Sequence, residues 1–148
     1  MTTASGAFTI IKARLAGGGL GFPLRYQGED GGALADTPSP FAYVEFITER
    51  AAIASYGGGR GQNRYRHPGR VDAYVFVPNG WGLKEATDRA ELIAALFRSY
   101  RDADISCFEA TVFSGGHGSE MDVPGLGSAV NDYWYAAVEV SLHFDLIG

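Results

Sequence analysis

The stretch Trp134-Tyr135-Ala136-Ala137-Val138-Glu139-Val140-Ser141-Leu142-His143-Phe144-Asp145-Leu146 decides how this chain is read. Every second residue is apolar: Trp134, Ala136, Val138, Val140, Leu142, Phe144 and Leu146. Between them stand Tyr135, Ala137, Glu139, Ser141, His143 and Asp145, which are mostly polar. A period of two held this long means a strand with one buried face and one wet face. The run is long for a strand in a chain of 148 residues. Such a strand is predicted to reach past its own core and offer its wet face and edge to neighbours. The first indication is therefore a part of an assembly rather than an enzyme.

A partner strand lies upstream. In Arg70 to Pro78, Val71, Ala73, Val75 and Val77 alternate with Asp72, Tyr74 and Phe76. Both faces are largely apolar after Asp72, which predicts a central strand covered on both sides. Pro78, Asn79 and Gly80 form a turn. Leu83 to Arg101 reads as the main helix, with Ala86, Ala90, Ile93, Ala94, Phe97 and Tyr100 in one apolar stripe. Acids lie toward its start and Arg98 and Arg101 at its end, matching the helix dipole. Asp88 with Glu91 resembles a capping box, which would start the regular helix later. Phe41 to Arg50 is a further strand, which Ala51 to Tyr56 could continue, and Ile105 to Phe113 is another. Thr9 to Leu15 is predicted as a short helix ended by Gly17, Gly18, Gly19 and Gly21, and Phe22 to Tyr26 as extended. Gly57 to Gly69 and Ser114 to Asn131 read as glycine-rich loops, the first mobile until contacts with a neighbour order it. The fold class is α+β: a mostly antiparallel sheet with one main helix across it, a short N-terminal helix and long glycine-rich loops. The core is predicted from Val71, Val75, Ile93, Phe97, Val138, Val140, Leu142 and Phe144. Residues 1–148 make a single domain, with 1–22 as an N-terminal arm or short helix.

Bulk properties narrow the function. Hydrophobic residues make up 46% and aromatics 13%, which excludes a disordered chain. The net charge of −5 argues against a general nucleic-acid binder. Cys107 is the one cysteine, so no internal disulfide forms. No stretch approaches the roughly 20 apolar residues of a membrane helix, and the start lacks a signal-peptide pattern. A soluble protein made and used in a cytoplasm is the expectation.

Chemistry-bearing patterns are weak. Gly57-Gly58-Gly59-Arg60-Gly61 and Gly115-Gly116-His117-Gly118 lack the following helix and the lysine of a phosphate loop. Gly80-Trp81-Gly82 sits between strand and helix but carries a bulky Trp. His67, His117 and His143 stand at no metal spacing from one another or from Cys107. His67 and His117 read as loop residues and His143 as lying on the wet face of the last strand. Cys107 reads as a buried thiol, and Ser114 and Ser119 lack a nucleophile elbow. Asp102 and Asp104 read as a solvated turn. Glu45 and Glu49 are expected to pair with arginines across the sheet. No catalytic, metal or cofactor site is predicted. The one charged cluster is Arg60, Arg64, Arg66 and Arg70, with His67 among them and Arg50 nearby, in an otherwise acidic chain. Arginine without lysine suits planar carboxylate or phosphate pairing. A solvated loop whose charges do little stands beside that reading.

The order of these parts resembles the tail terminator proteins of long-tailed bacteriophages, the lambda-like minor tail proteins included. The similarity runs from about Pro23 to the C-terminus. It rests on Pro40-Phe41-Ala42-Tyr43-Val44-Glu45-Phe46, then a long loop, and then Gly69 leading through Val71 to Val77 into the Pro78-Asn79-Gly80-Trp81-Gly82 turn. The helix Ala86 to Tyr100 and the closing Trp134-Tyr135 strand complete it. The Ala, Gly and Arg bias also suits phage-derived gene transfer agents. The resemblance implies a homo-oligomeric ring, commonly a hexamer, with no cofactor and no enzymatic activity. Such a ring ends the tail tube by binding the major tail tube protein. It then joins the head-side connector or stopper protein, and DNA passes through its bore without sequence specificity. It implies assembly in a host bacterial cytoplasm and residence at the tail–neck junction of the particle. Arg60, Arg64, Arg66 and Arg70 would then lie at an assembly interface or at the bore. Two alternatives remain open: a small α+β ligand-binding domain or enzyme, and a head-completion or neck protein.

Overall fold

The computed structural model describes residues 1–55 and 58–147. The closing alternation becomes strand β6 (Tyr133–Ile147), paired antiparallel along its whole length with β4 (Arg64–Pro78), from Arg64 opposite Ile147 to Pro78 opposite Tyr133. On its other side β4 pairs with β2 (Phe41–Thr48) and, past the end of β2, with β3 (Ala52–Ser55). β5 (Ile105–His117) borders β6, and β1 (Leu24–Tyr26) runs parallel to β2 at the far edge. The order β1-β2-β4-β6-β5 places β4 inside the sheet. The α+β class and the mostly antiparallel sheet are as the sequence predicts, and β1 is the parallel exception.

Two helices cover one face. In α1 (Ala4–Ala16), Ala7, Ile11 and Leu15 recur every fourth residue and are buried. In α2 (Leu83–Phe97), Ala86, Ala90, Ile93, Ala94 and Phe97 form the buried stripe. They meet Val71, Val75, Val138, Val140, Leu142 and Phe144, so all eight residues predicted for the core are buried. The opposite face is covered at one end only. Val123, Leu126 and Val130, from the segment holding two 3-10 turns (Gly118–Glu120 and Gly127–Asp132), pack on Phe41, Tyr43, Phe76 and Tyr133.

Several boundaries differ from the sequence reading. α1 starts at Ala4 rather than Thr9, because the Thr3 hydroxyl caps it by accepting from the Gly6 N–H at 3.1 Å. α2 starts at Leu83 as predicted, with Gly82 at φ +94° before it. Asp88 pairs with Lys84 at 2.6 Å instead of capping. The helix stops at Phe97 rather than Arg101, because the next residues turn back onto β5. Ser99 takes a left-handed φ of 58°, its N–H reaches the Phe108 carbonyl at 3.2 Å, and the Cys107 N–H reaches the Tyr100 carbonyl at 2.7 Å.

Ala52–Ser55 is a separate strand rather than an extension of β2, and Tyr56 lies outside the described residues. The expected loop Gly57 to Gly69 is strand from Arg64 onward, and Gly57 too lies outside the described residues. The expected loop from Ser114 begins as four more residues of β5. Its glycines answer crowding. A Cβ on Gly115 would collide with the Tyr135 carbonyl and ring, and one on Gly118 with the Val130 carbonyl.

Phe97→Ala should cost about 3–5 kcal/mol, as large-to-small changes in packed cores do; urea unfolding followed by circular dichroism measures it. A cost well under about 1 kcal/mol would place the helix stripe elsewhere. Gly118→Ala should loosen the 3-10 segment, seen as faster amide exchange at Val123, Leu126 and Val130 while the β4–β6 amides stay protected.

Candidate interaction site

Because side chains alternate along strands, β4 sends Arg64, Arg66, Arg70, Asp72 and Tyr74 to the face opposite the helices. β6 sends Asp145, His143, Ser141 and Glu139 to the same face, and the register sets Arg66 opposite Asp145. The Asp145 carboxylate therefore lies between two guanidinium groups. Arg66 donates from Nε to Oδ1 at 2.9 Å and from Nη2 to Oδ2 at 3.0 Å, and Arg64 Nε forms an ion pair with Oδ2 at 2.9 Å. Asp145 is almost buried, while both arginines are nearly half exposed. The Arg66 hydrogen bonds come first among the causes that hold the Asp145 carboxyl below its ordinary range, with the charges of Arg66 and Arg64 adding to them against burial.

Three of the four arginines singled out in the sequence thus share one face at one end of the sheet. They are strand residues, not members of a single loop. Arg60 stands apart in the exposed turn around Gly59–Gln62. Arg70 donates from Nε to Asp72 Oδ2 at 3.1 Å. Around Arg64 and Arg66 lies an open concavity of about 340 Å³, also lined by Arg101, His143, Ser106 and the amino terminus. Its cations are partly answered: the amino terminus meets Asp104 at 2.6 Å. Burial, reinforced by Arg66, pushes the His143 imidazole below its ordinary value.

Further along the same face the sign reverses. Glu45 on β2, Asp72 on β4 and Glu139 on β6 stand opposite one another in register. Glu45 therefore faces a carboxylate, not the arginine expected across the sheet. Asp72 is buried, and its Oδ1 has no hydrogen-bond partner. Burial pushes the Asp72 carboxyl up, the adjacent Arg70 pulls it down, and Glu139 and Glu45 add to the rise. Next along the strands, Tyr43 and Tyr74 lie with ring centroids 6.4 Å apart, and burial followed by the charge of Glu45 lifts the Tyr43 hydroxyl to about 12. Sequence reading missed this row because its three acids come from distant segments. The available signal was one acid at a wet position in each of three strands.

The other candidates take structural places. Cys107 is buried on the helix face, and burial, with the charge of Asp102 beside it, pushes its thiol up to about 11. His67, expected in a loop, is a strand residue whose ring stacks on Phe144 at 4.8 Å. His117 ends β5, where Nδ1 accepts from the Ser119 N–H at 3.2 Å. His143 is on the outward face as expected, its ring 4.9 Å from that of Phe108. Asp102 is an organised turn: it accepts from the N–H groups of Asp104 at 2.7 Å and Ile105 at 2.8 Å. Among the described residues, no three His, Cys, Asp or Glu side chains gather as a metal site, and no helix is long and apolar enough to cross a membrane.

No family model matches this chain, and no curated protein matches it. One solved structure superposes at a TM-score of 0.49 with 14% identity, over 95% of this chain and 88% of the other.

The two carboxyls should titrate apart, with Asp145 protonating below the ordinary range and Asp72 above it. Carbon-13 carboxyl NMR resolves both. The depressed Asp145 value contributes stability that is present above the ordinary carboxylate range and is lost as pH falls through the lowered value. The raised Asp72 value acts oppositely, lowering stability as pH climbs through it. Asp145→Asn should cost about 1–2 kcal/mol at neutral pH, discounted because its partners are half exposed. It should also flatten the acid limb of stability against pH.

Proposed function

We propose that this chain is a non-enzymatic structural subunit of a phage-type particle. In this reading it is a tail terminator that forms a homo-oligomeric ring, commonly a hexamer. The ring ends the tail tube, contacts the major tail tube protein on one side and the head-side connector or stopper on the other, and lets DNA through its bore. It is assembled in a bacterial cytoplasm and stays at the tail–neck junction. The order of sequence parts motivates the family.

One observation carries the assembly reading: the sheet extends beyond the helices that cover it. All four residues of β3 are exposed, Ile53 at 40%, and Ile147 at the paired end of β6 is exposed at 46%. Exposed apolar strand in a projecting sheet end is a surface that a neighbour covers. Phe108 and Phe113 on β5, exposed at 43% and 49%, extend this character to the opposite edge. A ring needs two unlike surfaces that meet head to tail, and the two ends of this sheet are unlike.

The test is to mix purified protein with a polymerising major tail tube protein of a long-tailed phage and to image the products by negative-stain electron microscopy. The expected outcome is tubes of bounded length bearing a ring at one end. Tubes of unbounded length with the chain left in the supernatant, at every concentration, would overturn the terminator reading. Rings that bind a connector but never a tube would favour a neck protein. A compact monomer stabilised by a small ligand would favour the ligand-binding alternative.

A further inference from the structure

The charges of this chain are divided by segment. Residues 50–71 hold Arg50, Arg60, Arg64, Arg66 and Arg70 and no acid, a charge of +5; the remaining residues set seven basic side chains against seventeen acidic, a net −10. The basic segment contains the exposed β3 and the projecting start of β4. The row of Glu45, Asp72 and Glu139 lies across the middle of the outward face, with Glu139 exposed, Glu45 half-buried and Asp72 buried between them.

The row is incomplete as it stands. Neighbouring strands are about 4.8 Å apart, so three carboxylates side by side repel one another. Arg70 answers Asp72 Oδ2, while the buried Oδ1 has no donor. A buried acceptor without a partner is costly, and more so when charged. The donor that suits the place is a guanidinium: it is planar, carries several N–H groups in one plane and stacks on aromatic rings. Tyr74, half-buried beside the row on β4, offers its ring for that contact, whereas Tyr43 is buried beneath the 3-10 segment. Arg64 and Arg66 are already held by Asp145, which leaves Arg50 and Arg60 as the arginines of the segment best placed to be donated outward.

We infer that the acidic row Glu45–Asp72–Glu139 receives Arg50 and Arg60 of a second copy of this chain, joining copies head to tail. The inference rests on the ring reading and names its subunit contact. Donor and acceptor are different parts of the same chain, so each copy gives one contact and takes one, and the arrangement closes or propagates. Charge-assisted pairing of this kind fixes register and speeds encounter.

The experiment is a charge swap in the full chain. Arg50→Glu with Arg60→Glu makes one variant, and Glu45→Arg with Glu139→Arg makes the other. Sedimentation velocity at low and at 0.5 M salt, a concentration chosen to shorten screening to roughly 4 Å, is run on the parent, each variant and their equimolar mixture. The parent should associate, more weakly at high salt. Each variant alone should associate about tenfold less tightly, and the mixture should recover most of the loss. Recovery on mixing cannot come from misfolded chains. If both variants associate as the parent does, or the mixture recovers nothing, the contact falls while the ring reading stands. If the parent associates neither alone nor on tail tubes, the ring reading falls and this contact with it. Titration of the isolated chain with Mg²⁺ or Ca²⁺ covers the other occupant: saturable shifts at the Asp72 carboxyl would assign the row to a cation and overturn the inference.

Discussion

The β4–β6 ladder is the constraint on which the rest of the structure depends. Fifteen consecutive pairs, from Arg64 opposite Ile147 to Pro78 opposite Tyr133, run without a register shift. A slip of one residue would turn Val71, Val75, Val138 and Val140 out of the core and bury Asp72 and Glu139 beneath the helices. The apolar stripe of α2 reinforces the choice, because Ile93 and Phe97 have a place to pack in one register only. The same register that buries the valines puts Arg66 opposite Asp145 and Asp72 opposite Glu139. The polar arrangement of the outward face is thus a consequence of core packing.

The parts of this fold legible in the sequence are those where one period dominates. β6 alternates, the latter half of β4 is apolar on both faces after Asp72, and α2 keeps its three-and-four spacing from Ala86 to Phe97, so all three are readable. The misread parts lie where glycine or charge masks the pattern. Arg64 to Gly69 looks like loop because it holds two arginines, a histidine, a proline and a glycine, yet β3 on one side and β6 on the other satisfy its backbone. Gly115 and Gly118 look like flexibility and are close contacts instead. α1 looks short because Ser5 and Gly6 are poor helix formers, and Thr3 supplies the cap that compensates. The arginine cluster was visible as composition. Asp145 as its internal partner was not, because pairing residues 79 positions apart is a matter of register, which alternation alone does not give.

The two ends of the outward face differ for physical reasons. At the Pro78 end, the 3-10 segment lays Val123, Leu126 and Val130 on aromatic residues, and the turn at Asn79 is tied to it by the Asn79 N–H to the Asp132 carbonyl at 2.9 Å. That end is closed by the chain's own residues. At the Arg64 end, none of the described residues covers β3 or the strand terminus at Ile147. Asp145 holds the two arginines there in fixed positions. Those two side chains are thus ordered within the chain itself, which leaves the other arginines of the segment for outside contacts.

This division bears on the proposed contact between copies of an acidic chain. Uniform charge of −5 would make copies repel at every approach. Concentrating five arginines in residues 50–71 leaves the rest of the surface repulsive and gives one orientation in which approach is attractive. Screening near physiological ionic strength acts over about 8 Å, so only surfaces close to contact feel the difference. Under the proposed contact, repulsion between the acidic surfaces would disfavour other approaches, and attraction would select the pairing that brings Arg50 and Arg60 to the carboxylates. An exposed apolar strand is hazardous in isolation, and surrounding it with like charges is a recognised means of keeping such edges apart until the correct surface arrives. The arginines of this chain fit that description better than a role in folding, since Arg64, Arg66 and Arg70 each bond a carboxylate while lying nearly half exposed, where an ion pair adds little to stability.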